Sequence, residues 1–424
     1  MREPFVSPGN FHAKLSLSMN YSDSLKYLNS FVNYERIHGG GLSNRSWNLD
    51  RMKFLLHLAE YPQKSYRRVL IAGTKGKGST GFFMETLLEN DGVKTGFYSS
   101  PHLNDPRERI RIRGQIVSKE AWAQGISYIK SLLSSKKVSA KLGSLTYFEI
   151  MTLLAAYLFK QARIELGIFE VGLGGRLDAT NALDHELSVI TPIHLDHESF
   201  LGNTVAKIAR EKAAIIRSGS KVIVSSQTPE AFKEIHKQVK ARKALLIEAR
   251  PVSGKLPLIG SFQRMNAGTA LAAARELGFD VSQPNWKPGG IWPGRMEWLS
   301  EQVLIDGAHN LMSVAAFARG LKELGVKNPV LIFGTSRDKN AAAMLKILSR
   351  ISNEIVVTPI SNPRTHQLQD LLELARPHFP LVFPAANIQD AFKIAKERAR
   401  HNKIVALGSF YLIGDLRKDF YAGH

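Results

Sequence analysis

VLIAGTKGKGST, residues Val69 to Thr80, sets a short apolar run directly against a glycine-rich turn that carries lysine, serine and threonine. This is the order of a strand feeding a phosphate-binding loop and then a helix. Gly73, Gly76 and Gly78 let the backbone turn its N–H groups inward around an anion, Lys77 adds a point charge, and Ser79 or Thr80 offers a hydroxyl to Mg²⁺. The spacing departs from the general nucleotide-loop pattern, with Ile71 where a glycine is usual and Gly78 inserted after Lys77. A plain glycine-rich strand-to-helix turn is the bland alternative.

Outward from that loop, apolar runs alternate with amphipathic stretches, the pattern of a mainly parallel sheet wrapped by helices. Strands are predicted at Arg68–Ala72, Lys94–Ser99, Leu166–Val171, Leu187–Pro192 and Lys221–Ser225. QPNWKPGGIWPG, 283–294, gathers proline and glycine as a linker does. A second alternation follows, through VLIDG, PVLIFG, EIVVTP, a short strand near Leu381 and KIVALGS, so the chain reads as α/β domains over 1–293 and 294–424.

The 424 residues are too many for one ordinary core, and 44% hydrophobic content is that of a globular protein. With no cysteine there are no disulfides or thiolate metal sites. The first twenty residues lack a signal-peptide core and no run approaches a membrane span, so a cytoplasmic protein is expected. The formal charge of +20 points to acidic partners or to solubility. Its basic residues form patches such as RERIRIR, 107–113, without an aromatic-interleaved stripe or a nucleic-acid module.

The chemistry-bearing residues cluster at strand ends. Glu170 closes one strand ahead of GLGGRLDATN, where a hard cation would take its carboxylate together with phosphate, and Asp196 and His197 follow the next. His194 and His197 have the spacing of a zinc pair without further ligands. On a helix predicted over Thr204–Arg217, Val205, Ile208, Ala209, Ile215 and Ile216 share one face with Lys212 near its centre. A lysine there must find a partner, snorkel, deprotonate or be modified. Thr146 and Glu149 have capping-box spacing. Asp306 and His309 in LIDGAHN lie just past a strand, and Arg295 at the linker is placed to close on phosphate.

GTKGKGST, YSSPHL with ERIRIRG, LTYFE, EVGLGGRLDATN, LDHESFLG, EKAAII, NAGTA, WPGRME, DGAHN and GSFYL occur here in the order found in one family. Over roughly residues 20–420 the chain resembles folylpolyglutamate synthases and the bifunctional dihydrofolate synthase/folylpolyglutamate synthases of the Mur ligase superfamily. That resemblance implies a central P-loop ATPase domain with a smaller Rossmann-like C-terminal α/β domain, and ATP-dependent addition of L-glutamate to a folate or to dihydropteroate through an acyl phosphate. It places ATP on Thr74, Lys75, Gly76, Lys77, Gly78, Ser79, Asn266, Arg295 and Asp306, and Mg²⁺ on Ser100, Glu170 and His197. Thr146, Tyr147, Phe148, Glu149, Leu177 and Asp178 fall on the pterin side. Lys77, Lys212 and His309 fall at catalytic positions, Lys212 matching a lysine that the family carries as N6-carboxylysine. A monomer with no stable nucleic-acid partner and no membrane is expected.

Several positions depart from the family. Lys75 stands where asparagine is usual, Phe262 for histidine, Ala214 for glycine and Leu311 for proline, and 33–44 is only loosely like the first pteroate loop. The competing readings are a peptidoglycan Mur ligase, for which only about 70 residues precede the phosphate loop where a further α/β domain would sit, and a basic nucleic-acid-associated NTPase.

Overall fold

The computed structural model describes residues 19–34, 48–135, 142–281, 284, 286 and 291–422. The N-terminal 18 residues, 35–44 of the loop resembling a pteroate loop, and 283, 285 and 287–290 of the linker lie outside them. The chain divides into two compact units, one gathering the described residues of Met1–His102, Pro106–Val252 and Met265–Asn285, the other those of Leu103–Asp105, Ser253–Arg264 and Trp286–His424.

In the first unit eight strands form one sheet: β1 Arg67–Ala72, β2 Thr95–Tyr98, β3 Ile110–Ile112, β4 Gln115–Ile116, β5 Leu166–Glu170, β6 Leu187–Ile190, β7 Lys221–Val224 and β8 Leu245–Glu248. Their order is β4-β3-β2-β5-β1-β6-β7-β8. Pairing is parallel from β2 to β8, and β3 and β4 add antiparallel at one edge. Every residue of β2, β5 and β6 is buried, as continuous apolar runs covered on both faces must be. The helix Tyr147–Gln161, buried at eleven of its fifteen positions, is one of the elements in the core beside this sheet.

The predicted strands are found, some a residue or two shorter or longer at an end. Three short ones escape the pattern. RERIRIR reads as a charge patch, yet its isoleucines alternate with arginine, and Ile110 turns inward while Arg111 reaches buried Glu85 at 2.8 Å. β4 is a two-residue edge piece with both residues exposed, and β8 an edge strand with no buried position, so neither carries a strong apolar signal. The helix expected over Thr204–Arg217 spans only Val205–Ala213, with Ile215 and Ile216 buried beyond its end.

The second unit holds a six-stranded sheet of β9 Glu297–Trp298, β10 Val303–Ile305, β11 Val330–Phe333, β12 Glu354–Val357, β13 Leu381–Pro384 and β14 Ile404–Leu407. The order is β13-β12-β11-β14-β10-β9, parallel except for β9. Its strands split by parity. Leu304, Leu331, Phe333, Ile355, Val357, Val405 and Leu407 feed one core, while Val303, Ile305, Val330, Ile332, Val356, Ile404 and Ala406 feed the other. Both faces are therefore apolar and both are covered by helices, a doubly wound arrangement. No helix among the described residues is long and apolar enough to cross a membrane.

Candidate active site

The carboxyl ends of β1, β5 and β6 lie side by side, which brings three loops together. After β1 the chain turns at Gly73, φ +153°, where an added Cβ would stand 1.9 Å from the Thr191 hydroxyl oxygen. Gly76, φ +86°, leads into the helix Lys77–Asn90 with the Asn266 side chain 2.4 Å from where its Cβ would be. Only glycine combines that dihedral with that approach. No side chain caps this helix, so its first-turn N–H groups and the positive end of its dipole are left for an anion.

Thr74 and Lys75 are tied differently. Both backbone N–H groups donate to the Pro192 carbonyl, at 2.9 and 3.1 Å, so any phosphate cradle begins at Gly76. Lys77, Gly78 and Ser79 form the helix's opening turn, with Ser79 buried. Lys77 Nζ stands 3.6 Å from Oε1 of Glu170, which is only 4% exposed, and the other oxygen accepts the Ser100 N–H at 3.3 Å. Glu170 is thus a sheltered carboxylate beside Ser100, not a solvated one. His197 is exposed and adopts a left-handed backbone, φ +52°. A carboxylate, a hydroxyl and an imidazole at these strand ends are donors that suit Mg²⁺ once phosphate oxygens complete the shell. Three-carboxylate or histidine-rich metal clusters are absent among the described residues, so the zinc reading of His194 and His197 gains nothing.

Lys212 is buried, 4% exposed, as the helical phase required. It does not snorkel to solvent, and no ion pair or hydrogen bond joins its amine to a described residue. Burial, reinforced by the Lys77 charge, lowers its pKa to about 7, against an opposing pull from Asp196 and Asp178. Its neighbours point away: Arg210 pairs with Glu234 at 3.2 Å and Glu211 with Arg176 at 3.0 Å. The glycine loop after β5 seats on this same helix, since a Cβ at Gly175 would meet the Glu211 carbonyl at 2.8 Å.

That loop is shaped by Asp178. One carboxylate oxygen accepts the Gly172 and Leu173 N–H groups at 3.0 and 2.9 Å, the other the Thr180 N–H at 3.0 Å and the Thr180 hydroxyl. Burial still raises its pKa against those bonds. Leu177 beside it is half-buried. Facing Gly172 is Phe148, from the helix that Thr146 and Glu149 cap: Thr146 N–H and hydroxyl donate to Glu149 Oε2 at 2.8 Å each, and Glu149 N–H returns to the Thr146 hydroxyl at 3.1 Å. Arg51 holds the second oxygen of Glu149 at 3.1 Å. Tyr147 is buried with the Arg109 guanidinium 5.4 Å from its ring centre.

In the second unit, the carboxyl edge of β10 and β14 carries Asp306, His309 and Arg295. Asp306 is buried and spends its two oxygens on the Met296 and Ala308 N–H groups, both at 2.8 Å, while burial raises its pKa and Arg295 pulls it back. The Arg295 guanidinium lies 4.7 Å from the Phe410 ring centre, and the His309 ring is 5.6 Å from the same ring. His309 Nδ1 donates to the Gly307 carbonyl at 2.7 Å, which makes Nε2 the proton-accepting nitrogen of the neutral ring. Phe410 carries no titratable group, and its place under Arg295 and His309 had no sequence signal beyond the GSFYL run.

The Mur ligase, glutamate ligase domain family matches residues 294–409. Over 419 residues the chain is 31% identical to the dihydrofolate synthase/folylpolyglutamate synthase of Bacillus subtilis, covering 90% of this chain and 97% of that one. The folylpolyglutamate synthase of Mycobacterium tuberculosis complexed with ADP superposes with a TM-score of 0.84 at 27% identity, over 94% of this chain and 98% of that one. A bifunctional folylpolyglutamate synthase/dihydrofolate synthase with Mn, AMPPNP and L-glutamate bound superposes with a TM-score of 0.81 at 29% identity, over 95% and 98%.

Proposed function

The chain belongs to the folylpolyglutamate synthase/dihydrofolate synthase family, and from that premise we propose that it joins L-glutamate to folates, and to dihydropteroate, with ATP as phosphoryl donor. A carboxylate resists attack by an amine until one oxygen becomes a leaving group. The substrate carboxylate therefore takes the γ-phosphoryl group, the glutamate amine attacks the acyl phosphate, and the tetrahedral adduct expels phosphate.

Each residue's part is the one the resemblance implies, with its surroundings in support. The uncapped helix at Gly76–Ser79 and the Lys77 ammonium receive the phosphates. Ser100, Glu170 and His197 would hold Mg²⁺, which would neutralise charge on the transferring group. The resemblance gives nucleotide roles to Asn266 of the first unit and to Arg295 and Asp306 of the second, Asp306 chiefly by holding the loop that carries Arg295. His309, its Nδ1 pinned, takes at Nε2 the proton that the attacking amine sheds. Thr146 to Glu149, Leu177 and Asp178 form the pterin side.

Lys212 is the observation that carries the reading. An amine with a pKa near 7 is neutral enough at physiological pH to add to CO₂, forming an N–C bond and losing a proton, which leaves an anionic carbamate within reach of the Lys77 charge. A bland structural lysine has no reason to sit there.

The test is purified protein with Mg²⁺, ATP, L-glutamate and either dihydropteroate or tetrahydrofolate. ADP release with a glutamylated product is expected for each pterin, and the absence of both products sinks the proposal. We further read the protein as a cytoplasmic monomer without a nucleic-acid partner. Sedimentation as a dimer, or polynucleotide-stimulated ATP hydrolysis, would reverse that.

A further inference from the structure

The phosphate loop and the loop after β6 are bound to one another along their length. Beyond the two bonds to the Pro192 carbonyl, the Thr74 hydroxyl donates to the His194 carbonyl and accepts the His194 N–H, both at 3.1 Å. Beyond His194, the exposed Leu195 and His197 flank Asp196. There a side chain takes over: Lys75 Nζ reaches Oδ2 of Asp196 at 3.3 Å, with the carboxylate 11% exposed and the ammonium 26%. The other oxygen, Oδ1, accepts the His197 N–H at 3.1 Å and lies 4.0 Å from His197 Nε2. His197 sits in the left-handed region, which a β-carbon disfavours, so its conformation depends on being held.

We propose that Lys75 is a positioning residue for the divalent-metal site, pinning Asp196 so that Asp196 fixes the orientation of His197. The proposal rests on the reading of His197 as a metal ligand. An asparagine at 75, the residue usual in the family it resembles, would end in an amide two bonds short of the lysine ammonium and would bring no charge to balance a sheltered carboxylate beside incoming phosphates. The lysine therefore supplies a cross-brace between the two loops. Outer-shell partners of this kind set ligand direction, and their loss weakens metal binding more than nucleotide binding.

The experiment titrates Mn²⁺ onto the protein–ADP complex by electron paramagnetic resonance, and measures metal-free ADP binding by calorimetry. Lys75→Met and Lys75→Asn should weaken Mn²⁺ binding by about 10-fold while Lys75→Arg stays within about 2-fold, with any loss of metal-free ADP affinity clearly the smaller effect. Lys75→Asn carries the residue usual in the family and guards against a folding artefact. His197→Ala separates the two levels. If it leaves Mn²⁺ binding intact, the metal-site reading itself fails; if it weakens binding and Lys75→Met does not, only the cross-brace fails. A loss of metal-free ADP affinity in Lys75→Met as large as its loss of Mn²⁺ affinity would make Lys75 a phosphate contact and overturn the proposal.

Discussion

The two sheets carry their chemistry at the same place, the carboxyl ends of central strands, but they treat charge in opposite ways. At the eight-stranded sheet the helix after the glycine loop is uncapped and Lys212 is buried without a partner among the described residues. At the six-stranded sheet Asp306 has both oxygens on backbone N–H groups and Asn310 caps the following helix through Ser313. The first edge stores unsatisfied polarity that an anion relieves; the second is a finished scaffold that presents Arg295 and His309. The contrast predicts that substitutions at the first edge damage chemistry out of proportion to stability, and those at the second damage both.

Lys212→Ala is the strongest way to break this contrast. Removing a charge-stabilising group from a dry site costs about 10²–10³-fold in turnover, and a thousandfold fall in ADP release is expected here. A short carboxylic acid in the buffer should restore part of it by standing in for the carbamate. Full activity in Lys212→Ala would end the carbamate proposal. Asp306→Ala tests the other edge: it orphans the Met296 and Ala308 N–H groups, a loss of about 2–4 kcal/mol for the pair in urea unfolding, together with reduced kcat/KM. A variant inactive yet as stable as the parent would show that Asp306 is not the scaffold described.

Much of this division was legible in the residues. Continuous apolar runs marked the parallel strands, and helical phase alone put Lys212 on the buried face, even though that helix ends at Ala213. What spacing cannot carry is contact across distance. Lys75 and Asp196 are 121 positions apart, and nothing in the order of residues says that one reaches the other. Order in the sequence put Asp306 just past a strand, but the two backbone donors that make it a scaffold residue are visible only in the fold. Ile110 and Ile112 were hidden by their arginines, since net charge dominates a run whose period is two.

A pH series sharpens the first edge further. The folded pKa of Lys212, about 7, lies below the 10.5 of a free lysine, so between these values the unfolded chain holds a proton that the native protein does not. Stability from this group therefore rises with pH from about 7 towards 10.5, by at most about 1.4 kcal/mol per pH unit, and the burial penalty is felt in full below 7. Lys212→Met should flatten that rise and be the more stable protein at pH 6. Parallel stability curves for the two proteins in CO₂-free buffer would mean that the amine is solvated or already paired in solution.

The smallest effect lies at the segment proposed for the pterin, where a capping role and a ligand-orienting role fall on one residue. Thr146 caps its helix and its hydroxyl also donates to Glu149, whose other oxygen Arg51 holds. As a cap alone, Thr146→Ala costs about 1 kcal/mol and Thr146→Ser a few tenths. If the hydroxyl also orients Glu149 for the pterin, Thr146→Ala raises KM for dihydropteroate several-fold beyond any change in folded fraction, while Thr146→Ser leaves it alone. An unchanged KM in Thr146→Ala would assign the segment to the scaffold, for a helix end satisfied by its own side chains has no polarity left over to spend on a ligand.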